Sequence, residues 1–123
     1  MNFYTIVRPE HLNHYHYLFG GVMLRWVDEY AYVAAIREFP TARFVTRAMD
    51  QVSFTQSVKN GAMLRFQVSR EHLGNTSVQY RVTVFARDLQ AKEEYHVFET
   101  TVTLVSLAPD GSKASLPPLI ADA

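Results

Sequence analysis

From Val22 to Glu38 the chain carries no glycine or proline, and its apolar residues spread over most of a helical wheel: Val22, Met23, Trp26, Val27, Tyr30, Ala31, Val33, Ala34 and Ala35. Only Arg25, Asp28, Glu29, Arg37 and Glu38 interrupt that surface, and Pro40 halts it. The spacing predicts a helix from about Gly21 to Glu38 that seeks burial on most sides. After Pro40 the period falls to two. Leu64, Phe66 and Val68 alternate with Arg65, Gln67 and Ser69, and Val78, Tyr80, Val82 and Val84 alternate with Gln79, Arg81 and Thr83. Tyr95 to Ser106 is a third strand rich in β-branched residues, Phe44 to Phe54 a less regular fourth, and Phe3 to Val7 a short one ahead of the helix. Breaks at Lys59-Asn60-Gly61, Gly74-Asn75 and Asp88 to Lys92 supply connections short enough for antiparallel neighbours. One short strand, one long helix and four long strands predict an α+β fold in which a curled antiparallel sheet wraps a central helix. A single domain over residues 1–123 is expected, with a tail only loosely ordered from about residue 110.

Composition narrows the class. A chain of 123 residues supports one core, and 48% hydrophobic with 20% charged residues is too apolar for disorder and too interrupted for a membrane span. Twelve basic residues cancel twelve acidic ones, so the positive field that draws nucleic acid or an anionic membrane is missing, and neither partner is expected. Cysteine is absent, which excludes disulfides, thiolate metal sites and cysteine nucleophiles. With no signal-like start, the cytoplasm is the expected compartment. A curled sheet leaves an open edge strand, so a homodimer at least is expected, with a dimer of dimers and a trimer of dimers both left open.

The candidate chemistry lies where loop meets helix. Gly20 and Gly21 open the helix, where unpaired backbone N–H groups favour a developing negative charge, as an oxyanion hole requires. Asp28 follows eight residues after Gly20 among Trp26, Val27 and Tyr30, where an ionised carboxylate is costly without a partner or a function. Taken singly, a Gly-Gly pair is more often a loop element and a helical aspartate more often a solvated one; together they suggest a site. His11, His14 and His16 fit no standard zinc spacing and read better as packed loop or interface residues, so no metal is expected. Arg43, Arg47, Arg65, Arg70 and Lys113 could meet phosphates by charge alone, and none is singled out.

Asn13, Phe19-Gly20-Gly21 and Trp26-Val27-Asp28-Glu29 resemble the N-x-x-G-x-x-F-G-G-x-x-x-x-W-x-D-E signature of hotdog-fold acyl-CoA thioesterases of the acyl-CoA hydrolase type. Val45-Thr46, Asp50 and Phe54 are similar to that family's V-T-x-x-x-D-x-x-x-F strand, Gly74-Asn75-Thr76-Ser77 to its G-x-T-S turn, and Leu116-Pro117-Pro118-Leu119 to its P-P-L tail. The ordered matches run from about Val7 to Leu119. The resemblance implies a hotdog fold and hydrolysis of an acyl-CoA substrate. Asp28 would activate water or attack the carbonyl, Gly20 and Gly21 N–H groups would hold the oxyanion, and Asn13 would orient water or substrate. No cofactor is implied, and Thr46 and Ser77 carry over as substrate-proximal or turn positions.

Three positions depart from the pattern: His16 replaces the usual glycine, Ser57 a proline and Ala62 an aspartate. His16 would bring a bulky titratable ring near the substrate and is counted among the substrate-binding residues. A hotdog hydratase or dehydratase, which would want a histidine paired with an acid, is the rival reading among enzymes. A non-catalytic acyl-CoA-binding module is the rival outside them.

Overall fold

The computed structural model describes residues 1–120; the last three positions of the expected 1–123 domain lie outside them. The elements follow the predicted order: β1 (Asn2–Ile6), a 3-10 turn (Pro9–His11), α1 (Gly20–Glu38), β2 (Phe44–Phe54), β3 (Met63–Leu73), β4 (Ser77–Arg87) and β5 (Tyr95–Ser106). All five strands join one antiparallel sheet in the order β1-β3-β4-β5-β2, so β1 and β2 are its edges.

The alternation in β3 and β4 sends Leu64, Phe66, Val68, Val78, Tyr80, Val82 and Val84 onto the concave face, where Met23, Val27, Ala31, Ala34 and Ala35 of α1 meet them. The small residues late in α1 let the helix lie close to the sheet, while larger rings fill the flanks: Trp26 and Tyr30 both pack on Phe66. The sheet covers one side of α1 only. Gly21, Arg25, Glu29, Tyr32 and Arg37 form an exposed stripe, so the helix is less enclosed in one protomer than its apolar wheel suggests. No described helix is long and apolar enough to cross a membrane.

β2 departs from the regular ladder at two places. Extra residues sit between Thr46 and Ala48 and between Asp50 and Ser53 in its pairing with β5, and Gln51 adopts a left-handed backbone with φ 57°. Bulges bend and twist an edge strand, which accounts for its irregular sequence pattern and blunts it against indiscriminate pairing. Val45, Val52 and Phe54 remain exposed along it.

The tail, expected to be loose from about residue 110, makes backbone hydrogen bonds to the body at three points: Ala114 N–H donates to Ser106, Leu116 N–H to Asn75 and Ile120 N–H to Glu38. Leu116 also packs on the core. The segment is irregular, and these three donors tie it to the body.

The C-terminal end of α1 is held by a polar clamp. The buried Tyr80 hydroxyl donates to Glu38 Oε1, and Arg70 Nη1 donates to Glu38 Oε2 at 2.7 Å. Burial first, then the bond to Glu38, pushes the Tyr80 phenol well above the usual tyrosine range. Burial and a bond to Asp88 push Tyr95 up to about 12. Both rings stay neutral in the folded protein through the pH range in which an unfolded tyrosine, with its ordinary pKa of about 10, loses its proton. Their contribution to stability is therefore complete below about pH 10 and falls as pH rises from there toward 12. Tyr80→Phe should cost about 2 kcal/mol in urea unfolding at pH 7, the scale of a hydrogen bond to a charged group, and should flatten the loss of stability above pH 10. An unchanged urea midpoint and an unchanged alkaline slope would contradict the clamp.

Candidate active site

The start of α1 is uncapped. Phe19 occupies the N-cap position with no side-chain oxygen to offer, although Ser, Thr, Asp or Asn there would add about 1 kcal/mol. Val22 and Met23 N–H both donate to the Phe19 carbonyl, and among the described residues the Gly20 and Gly21 N–H groups have no acceptor. Two free donors at the positive end of the helix dipole have the polarity that suits a negative charge.

Beside that corner the segment from Asn13 to Tyr17 folds on itself. Asn13 N–H donates to the Tyr17 carbonyl at 2.7 Å, His16 N–H donates to the Asn13 carbonyl, and Asn13 Oδ1 accepts from Tyr15 N–H at 2.8 Å and from Tyr17 N–H at 3.2 Å. Two backbone donors thereby fix the orientation of the side-chain amide. The oxygen is consumed inside the loop, and the Nδ2 donors are what Asn13 can offer to a ligand. Asn13 and Gly20 line one cavity of about 330 Å³, with apolar walls from Leu18, Met23, Phe54, Val58 and Val97 and a polar rim from Thr55, Gln56 and Ser57.

Asp28 lies elsewhere. It lines a separate cavity, also about 330 Å³, with Glu29, Tyr32, Val33 and Thr46. The Thr46 hydroxyl donates to Asp28 Oδ1, which fixes the carboxylate and leaves Oδ2 for other work. Thr46 reaches Asp28 because it shares the helix-facing side of β2 with Phe44, two residues earlier, before the bulge at Arg47 resets the alternation.

The remaining expected residues are placed as follows. His16 is exposed, lines neither cavity and holds a left-handed backbone with φ 68°, a conformation suited to the glycine that stands there in the resembled family. Ser77 lies at the β3–β4 turn, where its carbonyl accepts from Gly74 N–H at 2.8 Å, and it touches neither cavity. His11 accepts from Arg8 N–H and sets its ring edge against Trp26, while His14 packs on Tyr15, so the three histidines are engaged separately. Of the basic candidates, Arg65 is bidentate to Glu94 and Arg70 is bound to Glu38; Arg43, Arg47 and Lys113 make no ion pair among the described residues. Sequence reading passed over Tyr32 and the rim from Thr55 to Ser57. Tyr32 was discoverable as the residue one helical turn past Asp28; the rim carried no motif.

One helix against a curled five-stranded antiparallel sheet defines a hotdog fold. Residues 15–92 match the family model of the thioesterase superfamily, and the chain belongs to that family. It is similar to a hexameric hotdog fold thioesterase of Campylobacter jejuni, with 30% identity, a TM-score of 0.83, and coverage of 94% of this chain and 88% of that one. It is also similar to an acyl-CoA hydrolase from Staphylococcus aureus in complex with butyryl coenzyme A, coenzyme A and coenzyme A disulfide. There the identity is 25%, the TM-score 0.86, and the coverage 96% of this chain and 71% of that one. The same hydrolase has been solved as alanine variants of an asparagine, an aspartate and a threonine. Protein VdlD of Helicobacter pylori is 29% identical over 102 residues, which cover 83% of this chain and 58% of VdlD, so the chain spans a little over half the length of the first curated relatives it matches.

The His16 backbone supplies a test of this loop. A non-glycine residue in the left-handed region is strained by about 1 kcal/mol, partly offset by the extra freedom glycine has when unfolded. His16→Gly should therefore raise stability by up to about 1 kcal/mol in urea unfolding. A loss of stability would mean that the ring makes contacts worth more than the strain.

Proposed function

We propose that this chain is a cytoplasmic acyl-CoA thioesterase that cleaves an acyl-CoA into a free acid and CoA, working as a homodimer or a larger assembly of dimers. The observation that carries the reading is the pairing of two prepared half-sites: a carboxylate oriented by Thr46, and an open helix N-terminus beside an asparagine whose only free groups are donors. The variants of the Staphylococcus aureus hydrolase support it. Its altered asparagine and aspartate stand fifteen residues apart, as Asn13 and Asp28 do, followed by a threonine as Thr46 follows here.

In the reaction, Asp28 takes a proton from water as the water oxygen attacks the thioester carbonyl carbon. Negative charge builds on the carbonyl oxygen, and the Gly20 and Gly21 N–H groups with the Asn13 Nδ2 donors receive it. The C–S bond then breaks, the electron pair leaves with the CoA sulfur, and the proton held by Asp28 goes to that thiolate. A thiolate leaves readily, so one base and one anion pocket suffice. Direct attack by Asp28 uses the same groups, with water then releasing the acyl chain from the carboxylate. Thr46 keeps Asp28 aimed. Ser77 is assigned to the turn it holds, and His16 to the loop that carries Asn13 toward substrate.

The two half-sites do not share a cavity in one chain. Gly21 and Asp28 are seven residues apart on one helix, about 10 Å along its axis, whereas a thioester carbonyl needs both within about 3 Å of its reacting atoms. A two-fold dimer with antiparallel helices brings Asp28 of one chain to Gly20 and Asn13 of the other. The exposed edge of β2 and the open stripe of α1 are the surfaces such a dimer would cover.

A hydratase would need a histidine beside the carboxylate, and no histidine lines either cavity among the described residues. The test is thiol release from a panel of short, medium, long and aromatic acyl-CoAs. Parent protein should turn over at least one of them, and Asp28→Asn should lower kcat by a hundredfold or more with the fold intact by circular dichroism. Near-parental turnover in Asp28→Asn would overturn the role of Asp28. Tight acyl-CoA binding by the parent without any thiol release would make the protein a binding module.

A further inference from the structure

Tyr32 is one helical turn past Asp28 and shares its cavity with Thr46 and Val33. It is 41% exposed, on a stripe of α1 that is otherwise bare or charged at Gly21, Arg25 and Glu29, and its ring contributes nothing to the core cluster. Its hydroxyl has no hydrogen-bond partner among the described residues, unlike Tyr30 on the buried side, which bonds Thr5. A large ring outside the core of its own chain and with no bonded hydroxyl, beside an oriented carboxylate, is placed to act through its bulk.

We infer that Tyr32 is the residue that limits which acyl groups the site accepts, a conclusion that rests on the two-chain thioesterase reading above. If Asp28 lies beside Gly20 of the partner subunit in an antiparallel pair of helices, Tyr32 lies about 6 Å further along the same axis. That carries it past the first residue of the partner helix and over the loop that holds Asn13 of the partner subunit. The ring then stands across the mouth of the partner's cavity, part polar and part apolar in its lining, where an acyl chain leaving the thioester carbon must pass. Each methylene that cannot be seated forfeits about fourfold in binding, so a fixed ring at that depth discriminates steeply between chains on either side of the limit.

The test compares kcat/KM for acetyl-, butyryl-, octanoyl-, palmitoyl- and benzoyl-CoA in the parent protein and in Tyr32→Ala, Tyr32→Phe and Tyr32→Trp. A ratio between substrates is insensitive to a uniform loss of folded enzyme, so a merely structural role would not move it. Tyr32→Ala should raise the ratio of long-chain to short-chain kcat/KM tenfold or more, Tyr32→Trp should lower it, and Tyr32→Phe should leave it within twofold because size and not the hydroxyl decides. Should Tyr32→Ala fail to fold, Tyr32→Trp and Tyr32→Phe read the same ratio. Chain-length profiles that overlay the parent's in both Tyr32→Ala and Tyr32→Trp overturn the inference, and so does a Tyr32→Phe profile that shifts as far as that of Tyr32→Ala. Those outcomes leave the thioesterase reading standing, whereas a parent protein inert toward every substrate removes both.

Discussion

A single helix carries both the free Gly20 and Gly21 donors and the Asp28 carboxylate, and a helix cannot fold back on itself. Gly20 and Gly21 expose their donors at its start and Asp28 presents its carboxylate two turns later, with the rise of the backbone keeping them about 10 Å apart. The carboxylate is oriented by Thr46 from β2, the donors are accompanied by Asn13 from the preceding loop, and the two groups open into different cavities. In the dimer proposed above, a second copy arranged head to tail would resolve the separation and would cover the bare stripe of α1 and the bulged edge of β2 in the same step.

The two ends of α1 are treated differently. At its C-terminal end Glu38 joins Tyr80 and Arg70, and the tail returns a hydrogen bond from Ile120 to the Glu38 carbonyl. At its N-terminal end the cap is omitted, His16 is held in a left-handed backbone, and the loop closes on the Asn13 side chain. Local free energy given up at one end of an element and recovered in distant packing is a common arrangement where donors must stay available.

How much of this was legible in the sequence depends on which physical signal encoded it. Period two in β3 and β4 and the unbroken apolar run of α1 follow directly from burial, and they placed those elements within a few residues. Asp28 stood out because a carboxylate among Trp26, Val27 and Tyr30 is anomalous, and Asn13 because it fits an ordered motif. The bond between Thr46 and Asp28 was not legible, since the bulge at Arg47 hides which face of β2 Thr46 shares. Tyr32 was missed because an apolar helical wheel does not say which side the sheet will leave open. The backbone bonds from the tail to Ser106, Asn75 and Glu38 were not legible, since no side-chain pattern records them.

In the proposed dimer each working site takes its carboxylate from one chain and its anion pocket from another. Co-refolding two inactive proteins, Asn13→Ala and Asp28→Ala, carrying different tags, and assaying the purified mixed dimers for thiol release checks this arrangement. A shared site predicts one intact site in every mixed dimer, so activity returns to about a quarter of the parental value in a random equal mixture and about half in purified mixed dimers. Mixed dimers that form and stay as inactive as either starting variant would place the whole site within one chain and contradict the account.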